Sequence, residues 1–239
     1  MAERVTGRRP AIRALAAGAI VTGLVRGRSH VAAADTIVAA IPSKVREAAT
    51  RVIAARWTAG DKSKDGDQDL YELFGEDAKG RKVIAVVGGD GKVTELRTGI
   101  PPTEVPKAAW EAVAKKFPEF DANSVCEVRQ GDDLSAGGKD DSRAYEVGGT
   151  YDNDRRALLE VTADGDITDI EREIAQGDVP KAVTAGLKRK IRTFQTSGVF
   201  EISEDGSVVG YQFVGKKPKD KKEIDVFVSA DGKEVEVEE

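Results

Sequence analysis

The feature that most constrains the fold is a pattern that occurs three times along the chain. Pro42, Pro106 and Pro180 each open a segment in which the residues three, seven and eleven positions later are apolar. Apolar residues spaced by four form one stripe on a helix, and proline is favoured at the first helical position because it needs no N–H partner there. We therefore predict three short amphipathic helices. Their apolar stripes are Val45, Ala49 and Ile53; Ala109, Val113 and Phe117; and Val183, Leu187 and Ile191.

Strand patterns follow each predicted helix. An alternating run around Tyr71, Tyr145 or Tyr211 leads into a β-rich run, an Asp-Gly pair and a last alternating run. The distance from the tyrosine to the aspartate of the Asp-Gly pair is 19, 19 and 20 residues. Asp-Gly between alternating runs favours a hairpin, because the turn needs residues that tolerate positive φ. The sequence thus predicts a hairpin after every helix.

These patterns together predict an α+β fold. We expect three tandem helix-plus-antiparallel-hairpin repeats, at residues 41–100, 105–176 and 179–239, with the helices packed on one face of antiparallel sheet. One such unit buries little apolar surface alone, so neighbouring units are expected to join edge to edge or to stack.

The order Val-Pro-Lys-Ala, Tyr-Glu-Val, strand, Asp-Gly turn and final strand resembles the PepSY-like family, which is related in fold to β-lactamase-inhibitor proteins. Residues 179–183 and 229–235 carry the clearest match, and the resemblance covers roughly residues 41–239. It implies an exported or envelope-associated protein that binds or inhibits other proteins, peptidases being the usual suggestion. It implies no catalytic motif. The third copy departs from the family, whose members usually carry one or two.

The first 34 residues differ from the rest of the chain. A basic start is followed by a weakly apolar run and by Ala32 to Ala34, which predicts a secretory signal peptide at 1–34. An amphipathic N-terminal helix or a retained anchor is the alternative, and the Arg8-Arg9 pair suggests twin-arginine export. No later stretch is apolar for long enough to span a bilayer. We expect an exported protein, periplasmic or extracellular, with no membrane span after signal removal.

The charge of the remainder limits its partners. Of the 37 basic and 42 acidic residues, six basic and one acidic lie in 1–34, which leaves the rest of the chain at −10. Such a chain is not expected to bind nucleic acid, since binding depends on Lys and Arg neutralising phosphates, or an anionic membrane surface. A protein or peptide is the expected partner.

Catalytic groups are scarce. The only histidine, His30, lies in the predicted signal peptide, and the only cysteine, Cys126, lies in an alternating run typical of a small strand residue. This composition offers neither a catalytic triad nor a zinc site built from His and Cys. Carboxylate pairs such as Asp152 and Asp154, or Glu171 and Glu173, are the remaining candidates for acid–base chemistry, and solvated surface is the alternative. We predict no enzyme activity and no cofactor.

One segment resembles the calcium loop of the EF-hand. Oxygen-bearing residues occupy positions 1, 3, 5, 9 and 12, with Gly66 at position 6, a spacing that suits a hard cation. The candidate ligands are Asp61, Ser63, Asp65, Asp69 and Glu72. Gln68 at position 8 and the strand pattern of 70–74 depart from the EF-hand. A charged insertion loop between helix and sheet is the alternative.

The leading hypothesis is an exported non-catalytic binding module of PepSY-like type that binds or inhibits a protein or peptidase. Its expected contact surfaces are the sheet edges and the loops 58–69 and 129–143, because repeats tend to vary where partners touch. The alternative is a calcium-binding structural or adhesive envelope protein.

Overall fold

The computed structural model describes residues 40–65, 67–134, 142–217 and 223–238. Within these ranges the chain forms three α-helices and twelve β-strands. The helices are α1 (Ser43–Val52), α2 (Lys107–Lys116) and α3 (Lys181–Lys190). The strands are β1 (Ala55–Asp65), β2 (Gln68–Asp77), β3 (Lys82–Gly88), β4 (Val93–Gly99), β5 (Asp121–Gln130), β6 (Ser142–Tyr151), β7 (Arg155–Thr162), β8 (Ile167–Glu173), β9 (Gln195–Glu204), β10 (Ser207–Lys216), β11 (Ile224–Ser229) and β12 (Val235–Glu238). The predicted signal peptide, Gly66 of the calcium loop and 135–141 of a predicted contact loop lie outside the described residues.

The predicted fold class, three tandem helix-plus-hairpin repeats, is wrong. The described part of the chain is mostly one twelve-stranded antiparallel sheet with three short helices, and its strands follow one another in chain order. Strands that would end a repeat are paired: β4 pairs with β5, and β8 pairs with β9. Pairing satisfies backbone N–H and C=O groups that an isolated repeat would leave open at its edges. The boundaries 41–100, 105–176 and 179–239 stay a prediction.

The described residues divide into two compact units, the first of 40–149 and 159–167 and the second of 150–158 and 168–238. In the first unit, α1 packs on β2, β3 and β4 through its fully buried residues Val45, Ala48 and Ala49. The strands contribute alternate residues to this core, among them Tyr71 and Leu73 of β2. In each strand, the residues that alternate with these core residues lie on the sheet face away from the helix. We call this face the far face.

In the second unit, α3 packs on β11 and β12. Val183 and Leu187 of α3 join a core that includes Tyr211 and Phe213 of β10 and Val226 of β11. The far face of this unit therefore carries the even-numbered residues of the central part of β10, among them Gln212. None of the described helices is long and apolar enough to cross a membrane.

The helices begin one residue later than predicted. Pro42 has φ −54° and ψ 139°, so it is the N-cap of α1 and not its first helical residue. Its carbonyl accepts a hydrogen bond from the Arg46 N–H at 3.2 Å. Pro106 and Pro180 hold the same position before α2 and α3. Proline suits this site because the N-cap contributes its carbonyl to the helix while its missing N–H is not needed.

The predicted Asp-Gly turns are confirmed. Gly91, Gly165 and Gly232 have φ of 86°, 92° and 73°, and they lie between β3 and β4, β7 and β8, and β11 and β12. Positive φ is the conformation for which glycine is favoured in such turns.

Candidate functional site

The far face of the second unit carries three residues in one row. Phe200 of β9 and Phe227 of β11 lie directly opposite Gln212 of β10. Directly opposite residues of antiparallel strands share a face. Tyr211 and Phe213, on either side of Gln212, point into the helix-side core. Phe200, Gln212 and Phe227 therefore form a continuous patch on the far face, which we call the aromatic platform.

The platform is closely packed. Phe200 is 8% exposed and Gln212 is 7% exposed, whereas Phe227 is half-buried. The ring of Phe227 lies over Gly210, where a Cβ would overlap the ring atoms. Glycine at this position thus lets the ring lie against the backbone of β10.

A cation already contacts one of the rings. The guanidinium of Arg156 lies 4.8 Å from the centroid of Phe200, within the range of a cation–π contact. Its Nε donates a hydrogen bond to Oε2 of Glu173 at 2.9 Å. Glu173 lies directly opposite Phe200 on β8, so this ion pair borders the platform.

The amide of Gln212 is incompletely bonded. Its Oε1 is buried, and no described residue donates a hydrogen bond to it. A buried acceptor without a donor costs about 1–3 kcal/mol, and most native structures avoid it. The site therefore lacks a hydrogen-bond donor.

The surroundings of the platform are acidic. Among the far-face side chains that the structure describes on the strands of this unit, six are acidic, whereas Arg156 and Lys216 are basic. The acidic residues are Asp169, Glu171, Glu173, Glu204, Asp225 and Glu236. A net negative surface of this kind attracts cationic groups.

The carboxylates considered for acid–base chemistry lie in different places. Asp152 and Asp154 are in the turn between β6 and β7, with φ of 23° and 62°. The amide of Asn153 donates to Oδ1 of Asp152 at 2.9 Å. Glu171 and Glu173 lie two residues apart on the far face of β8, and Glu173 is paired with Arg156.

The far face of the first unit contains a buried ionic cluster. Arg97 of β4 is only 4% exposed, and its Nη2 lies 2.7 Å from Oε1 of Glu95. Its Nε lies 3.1 Å from Oε2 of Glu146, which is also 4% exposed. Both approaches are close enough for ion pairs, although neither Arg97 Nε nor Glu95 Oε1 is aligned for a hydrogen bond. Arg97 is therefore held between the two carboxylates by ion pairs.

Two further side chains complete the ionic cluster. The amide of Gln130 donates to Oε2 of Glu95 at 3.0 Å, and the thiol of Cys126 donates to Oε2 of Glu146 at 3.5 Å. Burial, followed by the charge of Glu146, raises the pKa of the Cys126 thiol well above its usual range. The interpretation of Cys126 as a small strand residue is confirmed: it lies on β5, where it is 4% exposed.

We predict that Glu72→Gln stabilises the protein at pH 7. Burial raises the pKa of the Glu72 carboxyl, Glu95 and Asp61 add to the shift, and Arg97 opposes it. The folded state therefore binds this proton more tightly, and stability is lost as pH rises from the unfolded pKa through the folded one. Removing the charge should raise the free energy of unfolding at pH 7 by on the order of 1 kcal/mol, and have no effect below pH 4, where the carboxyl is largely protonated in both states.

Urea denaturation at pH 7 and at a pH below 4 measures this effect. Glu119→Gln, an exposed site beyond α2, is the control and should change stability at neither pH. A loss of stability at pH 7, or a gain that is the same at both pH values, would contradict the prediction.

The predicted calcium ligands lie along the hairpin of β1 and β2. Asp61 is directly opposite Glu72, and Asp65 is opposite Gln68. Ser63, between them on β1, pairs with Leu70. Asp69 lies on the helix side of the sheet, where its Oδ2 is 2.8 Å from Nζ of Lys62. The structure therefore brings Asp61 and Glu72 together and places Asp69 on the other face.

Within the described ranges, no group of three or more His, Cys, Asp or Glu side chains could hold a metal ion. The calcium loop stays a prediction.

Sequence reasoning missed both the aromatic platform and the ionic cluster. One pattern could have located them: each tyrosine that marks a strand is followed by a residue that must point the other way. These residues are Glu72, Glu146 and Gln212. A polar residue in the middle of a β-rich run, next to buried neighbours, indicates a polar site on the second face of the sheet.

Comparison with known proteins gives only weak similarities. No protein-family model matches the sequence, and no curated protein matches it. Among solved structures, a DUF2874 family protein from Bacteroides uniformis has 16% identity and a TM-score of 0.42, covering 55% of this chain and 89% of that one. A BLIP-like protein from Bacteroides fragilis has 11% identity and a TM-score of 0.41, covering 56% of this chain and 89% of that one. Neither similarity is strong enough to show a family or a function, and the resemblance to PepSY-like proteins stays a prediction.

Proposed function

We propose that this chain is an exported, non-catalytic binding module of PepSY-like type, and that it binds or inhibits another protein through the far face of its second unit. The observation that carries the proposal is the buried Gln212 acceptor, which has no donor among the described residues and lies between two phenylalanines. Aromatic side chains around a desolvated polar group are typical of the centre of a protein interface.

Export is proposed from the basic and then apolar pattern of residues 1–34. The calcium-binding structural alternative has less support, because Asp69 of its ligand set is bonded to Lys62.

Replacing Phe227 should weaken binding of the partner. Phe227→Ala removes the more exposed ring of the platform, and we expect at least a tenfold loss of affinity, as for an aromatic residue at an interface hot spot. The chain is immobilised and exposed to the envelope and secreted proteins of its source organism. Each retained protein is then measured by surface plasmon resonance against the native chain and Phe227→Ala.

Lys188→Ala is the matched control, because Lys188 is exposed on α3, away from the far face. The proposal predicts a protein that the native chain and Lys188→Ala retain and Phe227→Ala loses. Proteins retained equally by all three chains, with unchanged thermal unfolding, would refute the far face as the binding surface.

A further inference from the structure

We infer that the aromatic platform accepts a cationic side chain, lysine or arginine, from a segment of the partner protein; this inference rests on the proposed function and names the chemistry of its partner. The platform combines an acceptor without a donor, two aromatic rings and an acidic border. Only a cationic hydrogen-bond donor satisfies all three.

The acceptor specifies the first requirement. An amide oxygen has two lone pairs, so Oε1 of Gln212 needs an N–H or O–H group. An apolar side chain would leave it unbonded and keep the cost of burying it. An arginine or lysine head group carries several N–H donors, and a hydrogen bond to a charged donor is stronger than one between neutral groups.

The rings specify the second requirement. The face of an aromatic ring is negative and attracts a cation placed over it. Phe200 already binds the guanidinium of Arg156 at 4.8 Å, which shows that this surface accommodates a planar cation. Phe227 lies on the other side of Gln212 from Phe200. A cation bonded to Gln212 therefore lies next to Phe227, and it is attracted when the face of that ring is turned toward it.

The acidic residues around the platform require that its ligand be positively charged. Asp225 and Glu236 flank Phe227, since Asp225 is two residues before it and Glu236 is directly opposite it on β12. Glu171 lies opposite Ile202, two residues beyond Phe200. Their charges repel an acidic partner and attract a basic one, which raises the association rate and makes it sensitive to salt.

Entry of the cation requires one ring to turn. Oε1 of Gln212 is buried, so a donor reaches it only after a neighbouring side chain moves. Phe227 is the more exposed of the two rings, whereas Phe200 is held by Arg156. Phe227 is therefore the side chain that opens the site.

A peptide titration tests the inference. The probe is a nonapeptide of alternating arginine and leucine, and its neutral counterpart carries citrulline in place of arginine. The full chain is titrated with each peptide by calorimetry at low salt, as native protein, Gln212→Met and Gln212→Glu. We expect the arginine peptide to bind, the citrulline peptide to bind at least tenfold more weakly, and Gln212→Met to lose about tenfold.

Gln212→Met separates the site from general attraction to an acidic protein, because it removes the acceptor and leaves the net charge unchanged. Gln212→Glu should bind the arginine peptide more tightly than the native chain. Equal binding by the native chain and Gln212→Met, with both folded, would overturn the inference.

The outcomes also distinguish this inference from the proposed function. If a captured protein depends on Phe227 while the arginine peptide is insensitive to Gln212→Met, the binding module stands and the cationic partner is refuted. A peptide of residues 1–34 of this chain, which carry six basic residues, is titrated as well. If it binds tightly and loses that binding in Gln212→Met, the occupant is the chain's own N-terminal segment, and the assignment to a partner protein is overturned.

Discussion

Arg97→Ala should lower the free energy of unfolding by about 3–5 kcal/mol, the usual cost of removing one partner from a buried ion pair. Arg97 is almost fully buried, between Glu95 at 2.7 Å and Glu146 at 3.1 Å. Without the guanidinium, two carboxylates remain in a site that water reaches poorly. Their mutual repulsion adds to the cost of keeping them out of water.

The matched control for this variant is Arg143→Ala. Arg143 lies 3.6 Å from Glu127 but is 62% exposed, so the loss of this pair should cost less than about 1 kcal/mol. Urea denaturation at pH 7 compares the two variants. Equal losses in the two variants would show that the ionic cluster is solvated.

A second comparison tests whether the ionic cluster stabilises the fold at all. Within the described ranges, Nη1 of Arg97 has no acceptor, and Nε of Arg97 is not aligned for a hydrogen bond. Replacing a buried ion pair by apolar residues of similar size is often neutral or stabilising. The double variant Arg97→Met with Glu146→Leu should therefore be more stable than Arg97→Ala by at least about 2 kcal/mol. A double variant as unstable as Arg97→Ala would mean that the remaining charge of Glu95 dominates.

The local elements of this protein could be predicted from the sequence because their determinants are local. The helix stripe of Val45 and Ala49 is set by contacts within four residues. The turn at Gly232 is set by one residue that adopts positive φ. Patterns of this kind predict the same local structure whichever strands pair elsewhere in the chain.

The architecture could not be predicted because it depends on pairing between distant strands. β4 and β5 pair through residues such as Arg97 and Val128, which lie on either side of α2 in the chain. An apolar or alternating strand indicates that a neighbour exists, but it does not say which strand that is. The expectation of three tandem helix-plus-hairpin repeats failed for this reason.

The candidate site could be predicted only in part. In a strand, Gln212 points to the face opposite to that of Tyr211 and Phe213, so a polar residue on the far face could be predicted from the sequence. The contact of Arg156 with Phe200 was not, because 44 residues separate them and the register of the sheet brings them together. The same holds for Arg97 and Glu146, which lie on β4 and β6.

Gly232→Ala should be far more destabilising than Gly206→Ala, although both glycines have positive φ. Gly206, with φ 78° in the turn between β9 and β10, has open space where a Cβ would be placed. Its replacement should cost only the backbone strain, about 1–2 kcal/mol. At Gly232, with φ 73°, the same Cβ would overlap the carbonyl oxygen of Ala182 in the first turn of α3. Relief of that overlap must move backbone, so we expect a total loss of about 2–5 kcal/mol.

The difference arises because the turn at Gly232 is part of the packing of α3. The carbonyl of Gly232 accepts a hydrogen bond from Nη2 of Arg189 at 2.7 Å, and Val183 and Leu187 of the same helix lie in the core of the second unit. A shift of the helix away from the turn would loosen both contacts. Urea denaturation and hydrogen exchange of the α3 amides measure the effect: Gly232→Ala should speed exchange along α3, and Gly206→Ala should not. Equal losses of stability, with α3 equally protected in the two variants, would mean that the helix moves aside at no cost and that the turn does not fix its position.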